Sequence, residues 1–325
     1  MAAKRRTSRK RKTQIKNLKW WIFTIAAAIC LLVDVLADQG IVPGWDEINQ
    51  AVGNNTAQES AGIPDAVTDA VHFIDVGQGD SVLLQSGGHF ALIDAGVRDS
   101  KDAIFHYLDA LGVTKLDYVI MTHPHADHIG SMAAVLRQYE IGQMLMPNID
   151  NGPEPTTSTY ERVLDTLEEK NIPTYQVGVG DTYALGNGTI TILGDGVKTN
   201  NLNDISTALR FDAGGLSLLA TGDGEKEVEQ QLLDTVKDQL HADVYKAAHH
   251  GSSTSNTQAF LQAVSPQMVV ISCGKDNSYG HPHKEALQSF ASVGAQVLRT
   301  DEMGSVAVWR QDGEIHYACT KEAAA

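Results

Sequence analysis

The segment Thr122-His123-Pro124-His125-Ala126-Asp127-His128-Ile129-Gly130 follows directly on the apolar stretch LDYVIM. That stretch reads as a buried strand whose end delivers a loop. Four potential ligands, His123, His125, Asp127 and His128, fall within six residues. Imidazole and carboxylate are the donors of zinc, manganese and iron sites. Two histidines two residues apart can converge on one ion. Asp127 and His128 can turn to a second as the chain enters a helix. A polar surface loop has no need of three imidazoles and a carboxylate at this spacing.

The surrounding chain supplies strands and helices in alternation. VHFIDVG, SVLLQS and HFALIDAG read as a β meander over residues 71–96, with the turn Gly77-Gln78-Gly79-Asp80 inside it. KDAIFHYLDAL reads as an amphipathic helix ended by Gly112. A helix is expected from His128 or Ile129 through MAAVLRQYE, and others over 160–170, 225–239, TQAFLQAV and HKEALQSFASVG. Short strands fill 173–193, and STALRFDA and LSLLATGD form a hairpin turning at Gly214-Gly215. DVYKAAHH and MVVISCG read as strands, followed by QVLRT, SVAVWR and EIHYACT. Polar residues at strand ends with helices between suggest an α/β protein, an αβ/βα sandwich with its chemistry on loops at one edge.

Five sequence blocks, in order, resemble the metallo-β-lactamase superfamily, and within it the hydrolase domain of ComEC-type competence proteins. They are residues 71–96, HPHADH, LLATGD at 218–223, KAAHHGSSTS at 246–255 and NSYGHP at 277–282. The resemblance covers about residues 71–318. It implies a metal set of His123, His125, Asp127, His128, Asp223 and His249, with Asp223 bridging two ions. It implies that Asp94 orients the histidine loop. Asp75 and Asp80 flank the glycine turn at the same edge, as supports, substrate contacts or plain turn residues. His250 and His281 are expected near the site, with a catalytic role beside Asp127. The usual additional histidine between the loop and the bridging aspartate is absent, since residues 129–240 contain none. Water, Asn203, Asp204 or Ser206 would fill its place. The implied cofactor is Zn²⁺, one or two ions, with Mn²⁺ as the alternative. His72, His89, His106, His241, His283 and His316 read as surface or packed residues.

The N-terminus reads as an address. Residues 1–19 carry nine Lys and Arg and no acid. Residues 20–37, WWIFTIAAAICLLVDVLA, are apolar apart from Asp34, and eighteen helical residues span about 27 Å, close to a bilayer core. The expected organisation is a basic cytoplasmic leader (1–19), a transmembrane signal anchor or a cleaved signal peptide (20–37), a linker (38–70) and the hydrolase domain (71–320). The positive-inside rule then puts that domain outside the cell membrane, or secretes it if the leader is cut. Removing the leader leaves 16 basic against 40 acidic residues, a net charge of −24. Such a body gives little general attraction to long polyanions. Cys273 and Cys319 are read either as a disulfide or as two free thiols.

Together these features imply an extracytoplasmic metal-dependent hydrolase acting through a metal-activated hydroxide. Asp127 or Asp223 orients the nucleophile, and His250 or His281 protonates the leaving oxygen. A phosphodiester, above all single-stranded or short nucleic acid, is the preferred substrate. An ester or lactone hydrolase on the same site is one alternative. A membrane-tethered competence-accessory binding module with a weak site is another. The sequence names no protein partner.

Overall fold

The structure, a computed structural model, describes residues 62–321. The leader, the apolar run and most of the linker lie outside these residues. Among the described residues no helix is long and apolar enough to cross a membrane.

Two sheets face each other. The first contains β1 (Asp69–Phe73), β2 (Val82–Ser86), β3 (His89–Ile93), β4 (Lys115–Ile120), β5 (Glu140–Met146) and β6 (Thr174–Gln176), with β14 (Val306–Gln311) and β15 (Glu314–Cys319) on the other side of β1. The second runs β13 (Gln296–Arg299), β12 (Met268–Ile271), β11 (Val244–Lys246), β10 (Leu216–Ala220), β9 (Ala208–Ala213), β8 (Gly188–Gly194), β7 (Thr182–Leu185). Alternation decides the layering. Val71 and Phe73 of β1, Val82 and Leu84 of β2, Leu218 of β10 and Val270 of β12 all point between the sheets. Leu83, Leu92 and Val119 point the other way, under α1 (Lys101–Ala110), α3 (Met132–Gln138) and α4 (Ser158–Lys170). Leu219, Tyr245 and Val269 do the same on the second sheet, under α5 (Lys226–Thr235), α6 (Gln258–Val264) and α7 (Lys284–Ser292). The result is a four-layer αβ/βα sandwich.

Three local expectations change. The helix after the histidine loop is two helices, α2 (Ala126–Ile129) and α3, broken at Gly130. A Cβ on Gly130 would sit 2.4 Å from the Arg98 nitrogen, so α2 is pressed against the 97–98 backbone. The Ser131 hydroxyl then holds the turn by donating to the Val97 carbonyl (2.6 Å). Glu140, expected in the helix, instead opens β5 beside Lys115. The 225–239 helix ends at Thr235, with a separate 3₁₀ turn over Lys237–Gln239. The DVYKAAHH strand stops at Lys246, and His249 and His250 follow in consecutive left-handed conformations (φ +48° and +54°). Cys273 and Cys319 are both free.

His72 is a buried histidine in β1 that bonds to Tyr107 Oη (3.0 Å) and Gln85 Oε1 (2.9 Å). Burial pulls its imidazole from 6.5 down to about 4. The unfolded chain therefore takes a proton near pH 6.5 that the folded chain refuses until about pH 4. Stability is fully present above the upper value and falls as pH drops through the window, by about 3 kcal/mol in all. Urea titrations at pH 7 and pH 4.5 are expected to show a smaller acid loss for His72→Gln than for the native chain. Parallel losses in the two proteins would contradict this.

Candidate metal centre

Strand ends from both sheets meet at one edge of the sandwich, and the candidate residues lie on the loops that leave them. Asp94 follows β3, the histidine loop follows β4, Asp223 follows β10, and His249 and His250 follow β11.

Asp94 ties the histidine loop down from beneath. Its Oδ1 accepts from the Thr122 amide (2.9 Å) and its Oδ2 from the Thr122 hydroxyl (2.6 Å). The same Oδ2 lies 2.7 Å from His128 Nδ1. That contact leaves His128 Nε2 to face the centre. The 77–80 turn presses on the loop from the side, where the Asp80 amide donates to the Asp127 carbonyl (3.1 Å). A Cβ on Gly79 would overlap that carbonyl oxygen at 2.2 Å, so the close approach requires glycine.

Asp223 occupies the middle. Its Oδ2 lies 3.2 Å from His128 Nε2, 3.5 Å from His250 Nε2, 3.8 Å from His249 Nε2 and 3.9 Å from His123 Nε2. Its amide donates to Ser206 Oγ (3.1 Å), which also lies 3.3 Å from His123 Nδ1. Asp127, His128, Asp223 and His250 each offer a ligand atom within 4.8 Å of the other three. His123 Nε2 and His125 Nδ1 converge separately, 3.1 Å apart.

The donor set fits a divalent cation. His128 Nε2, His250 Nε2 and Asp223 Oδ1 are all buried and have no hydrogen-bond partner. His128 Nε2 and Asp223 Oδ2 are close without being aligned as donor and acceptor. Buried polar atoms left unpaired in this way are costly unless something else satisfies them. Charge tells the same story. Burial alone would depress the His128 and His250 imidazoles, yet Asp223 holds both well above the ordinary range, with Asp94 helping at His128 and Asp80 at His250. His123 goes the other way, held well below it by burial and by His128. Burial would raise Asp223, but His128 and His250 bring it well below the carboxylate range. Protons on these imidazoles do what a cation would do, which is to balance clustered carboxylates.

The expected site residues are thus placed unequally. His250, expected as proton donor, stands in the four-residue group, its Nδ1 held by the Ser272 carbonyl (3.0 Å) and near Asp80 Oδ1 (3.3 Å). His249, expected as ligand, stands farther out and partly exposed, with Nδ1 3.2 Å from Thr254 Oγ1 and 3.6 Å from Glu225 Oε1. His281 borders the same cavity, ring centroid 5.5 Å from His249. Burial and the neighbouring imidazoles take His281 to about 4, so it is neutral at pH 7. Asp80 touches the cluster. Asp75 does not: its carboxylate accepts from Lys321 Nζ (2.7 Å) and from the Gly77 amide (3.2 Å), a turn-holding role. The cavity itself is about 350 Å³, and Gln78 and Tyr279 border it with the histidines.

Lys246 went without a role in the sequence reading. It is 1% exposed and pairs with buried Asp80 beneath His250. Despite burial, Lys246 and His250 bring the Asp80 carboxyl down to about 2. The one signal in the sequence is a lone charge inside the apolar stretch VYKAA.

Comparison with known proteins identifies the family. Residues 74–275 match the family described as the metallo-beta-lactamase superfamily. ComE operon protein 3 of Bacillus subtilis (strain 168) is 32% identical over 255 residues, covering 73% of this chain and 32% of that protein. Competence protein ComA of Neisseria gonorrhoeae is 33% identical over 248 residues, covering 75% of this chain and 33% of ComA. Recombination protein 2 of Haemophilus influenzae (strain ATCC 51907 / DSM 11121 / KW20 / Rd) is 30% identical over 258 residues, covering 77% and 30%. The chain spans about a third of the length of the curated relatives it matches. With the histidine loop, the central aspartate and the four-layer sandwich in place, the chain belongs to the metallo-beta-lactamase superfamily.

Proposed function

We propose that this chain is a metal-dependent phosphodiesterase that acts on nucleic acid outside the cell membrane, to which residues 20–37 anchor it. One observation carries the catalytic part: Asp223 Oδ2 stands within 3.9 Å of imidazole nitrogens from four histidines. A carboxylate so placed is suited to bridge two cations. Divalent cations held there would lower the pKa of a bound water and would stabilise charge developing on a scissile group.

The chain's own residues do the rest. Asp127 Oδ2 lies 3.3 Å from His250 Nε2 and its side chain is 30% exposed toward the cavity. Burial would raise its carboxyl, but His250 and His128 hold it below the carboxylate range, so it is ionised and can accept a hydrogen bond that orients the attacking water. His250 is absorbed by the ligand group. His249 is then the better proton donor to the leaving oxygen, because Glu225 and Thr254 hold its Nδ1 side while Nε2 faces Asp223. Tyr279, 64% exposed at the rim, offers a flat face to a base.

The competence and recombination names of the relatives support a nucleic-acid substrate. The acidic body favours single strands or short phosphodiesters over long duplexes. The basic leader and apolar run support the location. A panel of single- and double-stranded DNA, RNA, cyclic dinucleotides and lactones, run with Zn²⁺ or Mn²⁺, tests the reading. Metal-dependent cleavage of phosphodiesters is expected. Turnover of lactones alone would replace it with an ester-type hydrolase, and inertness throughout would favour a binding module.

A further inference from the structure

The residues around the centre divide into two unequal halves. Asp127, His128, Asp223 and His250 form a complete four-donor set. The other half has two imidazoles, His123 Nε2 and His125 Nδ1, with Asp223 shared at 3.9 Å. It lacks a fourth donor.

Three polar residues on the 201–206 turn approach it. Asp204 is engaged, its two oxygens accepting from the Glu225 amide (3.0 Å) and from Asn201 Nδ2 (3.3 Å). Ser206 is engaged with the Asp223 amide and His123 Nδ1. Asn203 differs. It is 8% exposed, stands beside the His125 imidazole and borders the metal cavity. Its Nδ2 donates to Glu225 Oε1 (3.3 Å), which fixes the amide's orientation, because the flipped form would set oxygen against carboxylate. Oδ1 is then turned away from Glu225. It is buried with no well-aligned hydrogen-bond donor, and its interaction with the neighbouring His125 imidazole favours that ring's protonated form.

We propose that Asn203 Oδ1 is the fourth ligand of a second cation, held with His123, His125 and the shared Asp223. This rests on the reading of the cluster as a metal centre. A neutral carboxamide oxygen is a harder and weaker donor than imidazole. The half-site of His123 and His125 is therefore the weaker one, more tolerant of Mn²⁺, and it exchanges its ion while the half-site of His128 and His250 keeps its own. The centre works as one retained and one exchangeable cation, and the Glu225–Asn203 bond sets the affinity of the second.

Calorimetric titration of the metal-stripped full chain with Zn²⁺ and with Mn²⁺, paired with elemental analysis of bound metal, reads this directly. The native chain is expected to show a tight step and a weak step of one ion each. Asn203→Ala is expected to lose the weak step and keep the tight one. Asn203→His is expected to strengthen the weak Zn²⁺ step by about tenfold or more, since even partners outside the ligand sphere act on that scale. Two native-like steps in Asn203→Ala, or an unchanged weak step in Asn203→His, would overturn the assignment of Asn203 while leaving the metal centre intact. Absence of both steps in the native chain would overturn the metal centre as well.

Discussion

Asp223→Ala is expected to leave a folded protein that no longer holds its cations and no longer hydrolyses phosphodiesters. The carboxylate contacts both halves of the cluster, with His128 Nε2 at 3.2 Å and His250 Nε2 at 3.5 Å on one side and His123 Nε2 at 3.9 Å on the other. Its removal leaves three or more buried imidazoles with nothing central to neutralise a pair of ions. The loss of activity should be on the order of a thousandfold or more, because both nucleophile activation and charge stabilisation go together. The loss of stability without metal should be limited, since the His128 and His250 imidazoles that Asp223 holds protonated can shed their protons once it is gone. Bound metal measured by elemental analysis, together with the rate on bis-p-nitrophenyl phosphate, checks this. Retention of native metal content would mean that Asp223 is not a ligand.

Lys246→Met should behave in the opposite way, costing stability first. Lys246 is buried at the end of β11, and Asp80 is its ion-pair partner. Taking away the ammonium strands a carboxylate that is 3% exposed, a change of about 3–5 kcal/mol when one member of a buried pair is lost. Asp80 also lies 3.3 Å from His250 Nδ1 and 3.8 Å from His128 Nδ1, so the orphaned charge will pull on both imidazoles. Lys246→Met combined with Asp80→Asn removes both charges and should recover most of the loss. Urea unfolding of the three variants measures the coupling. Additive losses in the double variant would show that the pair is not coupled.

The sequence showed clearly what is local and periodic. The short apolar runs in VHFIDVG and SVLLQS marked buried strands, and both faces are covered because one packs between the sheets and the other under helices. The crowding of His123, His125, Asp127 and His128 marked a metal loop because four donors on one short turn share one neighbourhood. The sequence could not order His249 and His250. Two consecutive residues at positive φ swing adjacent side chains in directions that no strand pattern anticipates, and such strain gathers at functional sites. Nor could it separate Asp75 from Asp80. They flank the same glycine turn, but only Asp80 meets the cluster, across a contact with Lys246 that spans 166 residues of chain. Asn203 could be suspected only from a missing histidine. Its fitness as a ligand depends on which way Glu225 turns its amide. The break at Gly130 depends on how closely the 97–98 backbone approaches, which is again a tertiary fact.

The most direct test compares bis-p-nitrophenyl phosphate hydrolysis by the full chain and by its His123→Ala/His125→Ala variant. Each is assayed metal-stripped and after loading with Zn²⁺ or Mn²⁺. The account predicts turnover only in the loaded native protein, and near-complete loss in the variant together with loss of the more weakly held ion. Turnover that survives the double substitution, or persists after the metal is stripped, would contradict it.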